Sequence, residues 1–281
     1  MYEALLFDAW LHPTNSGTPK KGFLNIKHVS PRTPLPEGLR IDGRRWNELR
    51  RFEARLSTTT AADGSSYVEW GNTKIICNVG GPNEPKTGAN RNQDRATVTV
   101  EVCFAAFSGN ERKKGAKGDR RVQEMQTALQ RTFAEAILTN LHPRSEILIT
   151  LHILSQDGSV LATCINACTL ALIDAGIPLS DYVVACTAGS HSVRSGTNFE
   201  VEGEDPLLDM NNIEESDLPG VTIATIGNSE KITLLQLETK VRLERLEGMM
   251  AVALDGCRKL KEVMDDIVRT HGNEMARRGA L

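Results

Sequence analysis

The chain has 281 residues, 40% of them hydrophobic and 25% charged, with a formal net charge of −3. At roughly 100 to 200 residues per domain, this is one large domain or two small ones with enough chain to bury a substantial core. The balance excludes collagen, coiled coil, wholesale disorder and a globally basic nucleic-acid binder. No stretch reaches the roughly 18 uninterrupted apolar residues of a membrane helix; even Val160 to Ile173 is broken by Thr163, Asn166 and Thr169.

Residues 1–37 hold Pro13, Gly17, Pro19, Pro31, Pro34 and Pro36 with little periodicity, and are expected to form a disordered extension. Met1 to Leu11 is apolar but carries Glu3 and Asp8 and no basic start, so no secretory signal is expected. From Gly38 the pattern sharpens. Ser66 to Val68 and Lys74 to Val79 read as strands joined by the hairpin pair Gly71-Asn72, and Gly80-Gly81-Pro82 is expected to end the second. After a polar loop, Asn83 to Asp94, the alternation of Val98, Val100, Val102 and Phe104 marks a strand within Ala96 to Phe107. A basic loop, 108–118, precedes Asp119 to Leu141, where Val122, Met125, Leu129, Phe133 and Ile137 recur every three or four residues. That spacing predicts an amphipathic helix capped by Asp119.

Glu146 to Leu154 reads as a strand, and Gln156-Asp157-Gly158-Ser159 as a turn into a second helix, Val160 to Ala175. Being apolar nearly all round, this helix is expected to be buried beside a sheet. Tyr182 to Thr187 is a strand, 191–205 a polar, acidic insertion, and Val221 to Ile226 and Ile232 to Leu237 are strands around Gly227-Asn228-Ser229. Val241 to His271 carries Leu243, Leu246, Met250, Leu254, Leu260, Met264 and Ile267 at helical spacing. Strands alternating with helices that are amphipathic or apolar predict an α/β protein of α+β layers.

Several familiar chemistries lack their motifs: there is no GxGxxG after a strand, GxxxxGK[ST], HExxH or GxSxG. Cys77, Cys103, Cys164, Cys168, Cys186 and Cys257 form no CxxC pair and read as thiols of a reducing compartment, without disulfides or zinc. His142 and His152 read as structural. Charge is uneven: Arg40 to Arg55 holds six arginines against three acids, Glu111 to Arg121 six Lys/Arg against two, and Glu200 to Asp217 eight acids and no base. Two basic segments facing phosphates, with an acidic loop serving a metal or a basic neighbour, is one reading; solvated faces is the other.

Three features carry candidate chemistry. Arg120-Arg121 opens a helix, where guanidinium groups and free amides together suit a phosphate, although the helix dipole disfavours cations there, or is simply a solvated helix start. Asp157-Gly158-Ser159 is a turn before a buried helix, either a ligand cradle or simply tight. Asp209, Glu214 and Glu215 lie in an acidic loop suited to Mg²⁺, to acid/base work or to plain solvation.

At these positions the sequence resembles the RNase PH family of phosphate-dependent exoribonucleases and their exosome relatives, over about Gly38 to Met264. The resemblance rests on Gly38-Leu39-Arg40-Ile41-Asp42-Gly43-Arg44, on Ala62-Asp63-Gly64-Ser65-Ser66 to Gly71-Asn72-Thr73-Lys74 with Gly81-Pro82, and on Gly118-Asp119-Arg120-Arg121. Leu141-His142-Pro143-Arg144-Ser145, Gln156-Asp157-Gly158 and Asp174-Ala175-Gly176-Ile177-Pro178 are similar to the eukaryotic exosome ring subunits in particular. It implies two similar βαβ-type halves, 38–178 and 179–275, the second carrying the 191–205 insertion. It further implies a six-membered ring of RNase PH-like subunits around a channel for single-stranded RNA, cap subunits with S1 or KH modules, and a docked hydrolytic exonuclease. No cofactor or metal is implied.

In active relatives the resemblance equates the phosphate-gripping arginine with Arg121 and the acidic pair with Asp209 and Glu215. A Gly-Thr-Arg turn there supplies a second arginine. Here that turn reads Ser159-Val160-Leu161 after Gly158, so Leu161 stands where the cation belongs. A guanidinium contributes about 1.5 to 3 kcal/mol per charge-assisted bond to phosphate, and leucine contributes none. The expectation is a non-catalytic ring subunit that guides RNA for 3′-to-5′ processing and decay of rRNA and mRNA, in nucleus, nucleolus and cytoplasm. Arg120, Arg121, Lys86, Arg91 and Arg95 would contact RNA, while Arg121, Gly158 and Ser159 would be a vestigial phosphate site. The alternative is an active phosphorolytic exoribonuclease whose missing arginine comes from a neighbour.

Overall fold

Residues 52–83 build an antiparallel meander of three strands: β1 (Phe52–Leu56), β2 (Gly64–Trp70) and β3 (Thr73–Asn83). The structure is a computed structural model describing residues 40–84, 94–109, 112, 119–192, 204–227 and 231–279. Trp70 pairs with Thr73 across Gly71-Asn72, the expected two-residue turn, with Gly71 in the left-handed region at φ +60°. β3 pairs with β5 (Glu146–Ser155), whose far edge takes β4 (Thr97–Phe104) in parallel, giving the order β1-β2-β3-β5-β4. A parallel pair needs a crossover, which α1 (Arg120–Ala136) supplies by packing on β4. Asp119 caps it as expected, its carboxylate accepting the Arg121 N–H at 3.1 Å.

The second sheet is wholly antiparallel, ordered β7-β6-β8-β9 from β6 (Val183–Ser192), β7 (Glu204–Leu208), β8 (Gly220–Ile226) and β9 (Ile232–Leu237). Buried helix α2 (Val160–Asp174) bridges the sheets, packing on β2 and β3 from one and β6 from the other. Between β7 and β8 a short α3 (Asn212–Asp217) intervenes, and α4 (Leu243–Arg278) packs across β6, β7 and β8.

Two of the three polar residues that interrupt the apolar α2 serve the open edge of β6. β7 pairs only with Ala188 to Ser192, leaving the same edge of β6 open from Val183 to Thr187. Buried backbone groups need partners. Thr169 Oγ1 donates to Val183 O at 2.7 Å; Asn166 donates to Ala185 O at 3.0 Å and accepts its N–H at 2.9 Å; the Asp209 N–H closes on Thr187 O at 2.8 Å. Side chains of α2 thus stand in for the missing length of β7, while Ile165, Leu170 and Leu172, fully buried, each contribute about 1.5 to 3 kcal/mol.

The structure departs from the sequence reading in several places. The helix expected over Asp119 to Leu141 stops at Ala136, because Ile137 turns extended and bridges Leu179 while the Leu138 N–H takes Pro178 O at 3.1 Å. Ile137 keeps the apolar period by being buried, though not as helix. β3 continues past Gly80-Gly81-Pro82 to Asn83, with a shifted register and a cis Gly81-Pro82 bond. β1 has no counterpart among the expected strands. The insertion 191–205 is strand at both ends, His191 and Ser192 belonging to β6 and Glu204 and Asp205 to β7, and residues 193–203 lie outside the described ones. β7 contains Pro206 and reads as loop; at a sheet edge its missing N–H costs no ladder bond. The supposed acidic loop forms α3, closed by a capping box between Asn211 and Glu214. The extension 1–37, like Lys86 and Arg91, lies outside the described residues.

Candidate functional site

Gly158 adopts φ +76°, and a Cβ there would meet Met210 O at 2.5 Å and the Asn211 carbonyl carbon at 2.6 Å. Only glycine lets the turn before α2 run directly against the backbone before α3. The turn is pinned from the hairpin side as well: Thr73 Oγ1 donates to Gly158 O at 3.0 Å and Asn72 Nδ2 to Asp157 Oδ2 at 2.9 Å. Ser159 follows in the left-handed region, φ +53°, wholly buried. Its hydroxyl lies 3.1 Å from Asp209 Oδ1, 3.1 Å from Met210 O, and against the Thr187 hydroxyl. Its N–H donates to Glu215 Oε2 at 3.3 Å.

Asp209 is the centre of this cluster. Its side chain is fully buried, and its Oδ2 accepts the Arg50 N–H at 2.8 Å and Arg50 Nε at 2.9 Å; Oδ1 accepts from Arg50 Nη2 at 2.7 Å. Arg44 Nη1 adds a contact at 3.4 Å. Together with Ser159, these donors fill the carboxylate. Arg40, itself buried, reaches Asp209 O at 2.8 Å and forms a two-pronged pair with Glu214, through Nε to Oε1 at 2.8 Å and Nη2 to Oε2. Desolvation opposes the charge of Arg50, but Asp209 outweighs it and holds the guanidinium above its ordinary range.

Half of the first basic segment therefore turns inward: Arg40, Arg44 and Arg50 face the acidic segment, which serves a basic neighbour, while Arg45, Arg51 and Arg55 are exposed. The rough charge blocks signalled this pairing without naming partners. With Arg50 and Arg44 on Asp209 and Arg40 on Glu214, Glu215 is left as the acid of the group that solvent still reaches, although its carboxylate is largely shielded. Its pKa is raised, chiefly by desolvation and further by Glu238, against the Ser159 N–H and the charges of Arg50 and Arg121.

The remaining candidates divide. Arg121 is exposed at the start of α1, near enough for its charge to bear on Glu215; Arg120 is 90% exposed and holds Glu124 at 2.8 Å. Leu161 packs into the hydrophobic core with Val160 against it. Arg95 is exposed, but the neighbouring Ala96 N–H is tied to Thr139 O beyond the far end of α1. A 17-residue helix is about 25 Å long, so Arg95 and the arginine pair lie at opposite ends of α1 and do not form one cluster. Among the described residues no group of three or more His, Cys, Asp or Glu is placed to hold a metal ion, and no helix is long and apolar enough to cross a membrane. Cys103 is exposed and the other five thiols are buried.

Residues 48–178 match the family model described as RNase PH, 3′ exoribonuclease family, domain 1, and residues 181–256 match domain 2 of the same family. The chain belongs to the RNase PH family. Its relatives include the exosome complex component ski6 of Schizosaccharomyces pombe, 46% identical over 233 residues, which are 83% of this chain and 92% of that protein. SKI6 of Saccharomyces cerevisiae is 44% identical over 241 residues, covering 85% and 94%. The exosome complex component RRP41 of Homo sapiens is 40% identical over 240 residues, again 85% and 94%. In three dimensions the fold is similar to the crystal structure of Rrp46 from rice (Oryza sativa), with TM-score 0.67 and 26% identity over 80% of this chain and 98% of that one. The Archaeoglobus fulgidus exosome with RNA bound to the active site has the same fold, TM-score 0.66, at 22% identity over 80% and 92%. The mixed α/β layers expected from sequence are those of the RNase PH fold.

Proposed function

We propose that the chain is a ring subunit of the RNA exosome, similar to RRP41 and Ski6, that guides single-stranded RNA and does no phosphorolysis itself. The membership is supported by the exosome relatives that align along most of the chain. The silence is supported by one observation above all: the turn before α2 offers no second cation to a phosphate. Leu161 is in the core, Arg50 is committed to Asp209, and the Ser159 N–H is given to Glu215. Phosphoryl transfer depends on positioning and charge neutralisation, and losing one such donor costs a factor of about 10² to 10³. Arg121, Gly158 and Ser159 are then the remnant of a phosphate site.

In this reading the halves 38–178 and 179–275 sit in a six-membered ring with other RNase PH-like subunits, under S1/KH-type caps and above a hydrolytic exonuclease that cuts the RNA. Arg120 and Arg121, with Arg95 and the sequence positions Lys86 and Arg91, give the RNA backbone its cations. rRNA processing and mRNA turnover in nucleus, nucleolus and cytoplasm are the proposed setting. One observation favours a second reading, an active phosphorolytic 3′-to-5′ exoribonuclease completed by a neighbour: Arg121 still bears on Glu215.

Reversing Arg120 and Arg121 to Glu in the assembled complex tests the guiding role. Long substrates that must thread the channel should decay more slowly while short ones are spared, and the salt slope of binding should fall by about 0.7 for each phosphate no longer neutralised. Threading at the wild-type rate with an unchanged slope would reject it.

A further inference from the structure

We infer that Phe107 is a stacking platform for one nucleobase of a single strand, set beside the site and working with Arg112. The inference rests on the RNA-guiding reading and adds a base contact to its phosphate contacts. Phe107 is 72% exposed, the most exposed large hydrophobic side chain among the described residues. It is not a loose loop residue. The Ser108 N–H donates to Ala105 O at 2.9 Å, closing a four-residue turn that carries Phe107 at its third position. Both ends of the turn are fastened to the end of β5 and the residue after it: the Ala105 N–H donates to Ile153 O at 3.0 Å, and the Gln156 N–H to Ser108 O at 3.0 Å.

That fastening sets the ring's address. Gln156 is three residues before Ser159, so the turn holding Phe107 is bonded to the stretch that becomes the Asp157-Gly158-Ser159 cradle. Arg112 lines the same hollow, with Ala106, Phe107 and Gly109. An aromatic face fixed outward beside a guanidinium suits a base with its phosphate: the ring meets the π-face of any base and Arg112 meets the backbone. A protein partner would have to place an apolar side chain beside the same guanidinium, which the charge disfavours.

The test uses the full-length chain, in its complex if it does not behave alone, with a fluorescent single-stranded RNA oligonucleotide and a matched abasic one. Phe107→Ala and Phe107→Leu should weaken binding of the base-containing RNA about five-fold or more, Phe107→Trp should retain it, and none should change the salt slope. None should affect the abasic strand. Arg112→Ala should lower the slope by about 0.7 on both strands. If wild type binds RNA and the Ala and Leu variants bind it equally well, the stacking inference fails while RNA guidance stands. If Phe107→Ala impairs only assembly with neighbouring subunits, Phe107 is a protein contact and the inference is likewise overturned. If wild type binds no RNA in any form, both readings fall.

Discussion

Asp209 and Glu215 are six positions apart and have opposite electrostatic fates. Asp209 is buried under the guanidinium of Arg50, so Asp209→Asn leaves a buried arginine without its counter-charge; such a loss costs about 3 to 5 kcal/mol. We expect a large drop in the denaturation midpoint, and an unchanged midpoint would refute the buried pair. Glu215 behaves oppositely. Its folded pKa lies above the ordinary 4.5, so folding prefers the protonated form. That contribution is fully present below the unfolded pKa and is lost as pH rises through the folded one. Glu215→Gln should therefore leave Tm at pH 7 unchanged or higher and flatten its dependence on pH from about 4.5 upward; a lower Tm at pH 7 would contradict this. Gly158 and the Asp119 cap were legible because local backbone geometry demands those residue types. The partner of Asp209 was not, since Arg50 is 159 positions away and any of six arginines in its segment satisfied the charge pattern.

Secondary-structure elements here were legible where their own sequence decides them. The β2–β3 hairpin follows from Gly71-Asn72, and the burial of α2 from its apolar circumference. What the sequence could not reveal was why α2 carries Asn166 and Thr169, because their use depends on how short β7 is. Thr169 and Asn166 complete the edge of β6, and Thr163 bonds back to Ser159 O at 2.8 Å within the helix. Asn166→Ala strips partners from both the N–H and the C=O of Ala185 in a dry interior. At about 1 to 3 kcal/mol per orphaned group, the cost should be about 2 to 6 kcal/mol, seen as a Tm loss of several degrees. If Asn166→Ala melts like wild type, water or a strand shift replaces the amide and the splice between α2 and β6 is not needed. The overrun of α1 has a similar cause: Ile137 is apolar at the helical period, but Leu179, 42 positions on, pulls it into a bridge.

At the scale of the molecule, two sheets share one helix, and most of the apolar surface is spent inside. The alternating valines of β4, which on sequence alone suggest an uncovered apolar face, are buried. Besides Phe107, exposed apolar residues include Leu138 and Leu141 after α1, Leu235 and Leu237 on edge strand β9, and Leu243 opening α4, the last 71% exposed. An open edge with outward leucines favours association. The isolated chain should therefore scatter light as a heterogeneous or associated species, and a clean monomer would argue against obligate assembly. The central claim, a subunit that guides RNA without cutting it, is tested most directly by incubating the purified chain and its complex with single-stranded RNA in phosphate buffer and measuring nucleoside diphosphates. The account predicts none from wild type, and at most a trace after Leu161→Arg with Val160→Thr. Robust release by wild type, abolished by Arg121→Ala, would contradict it.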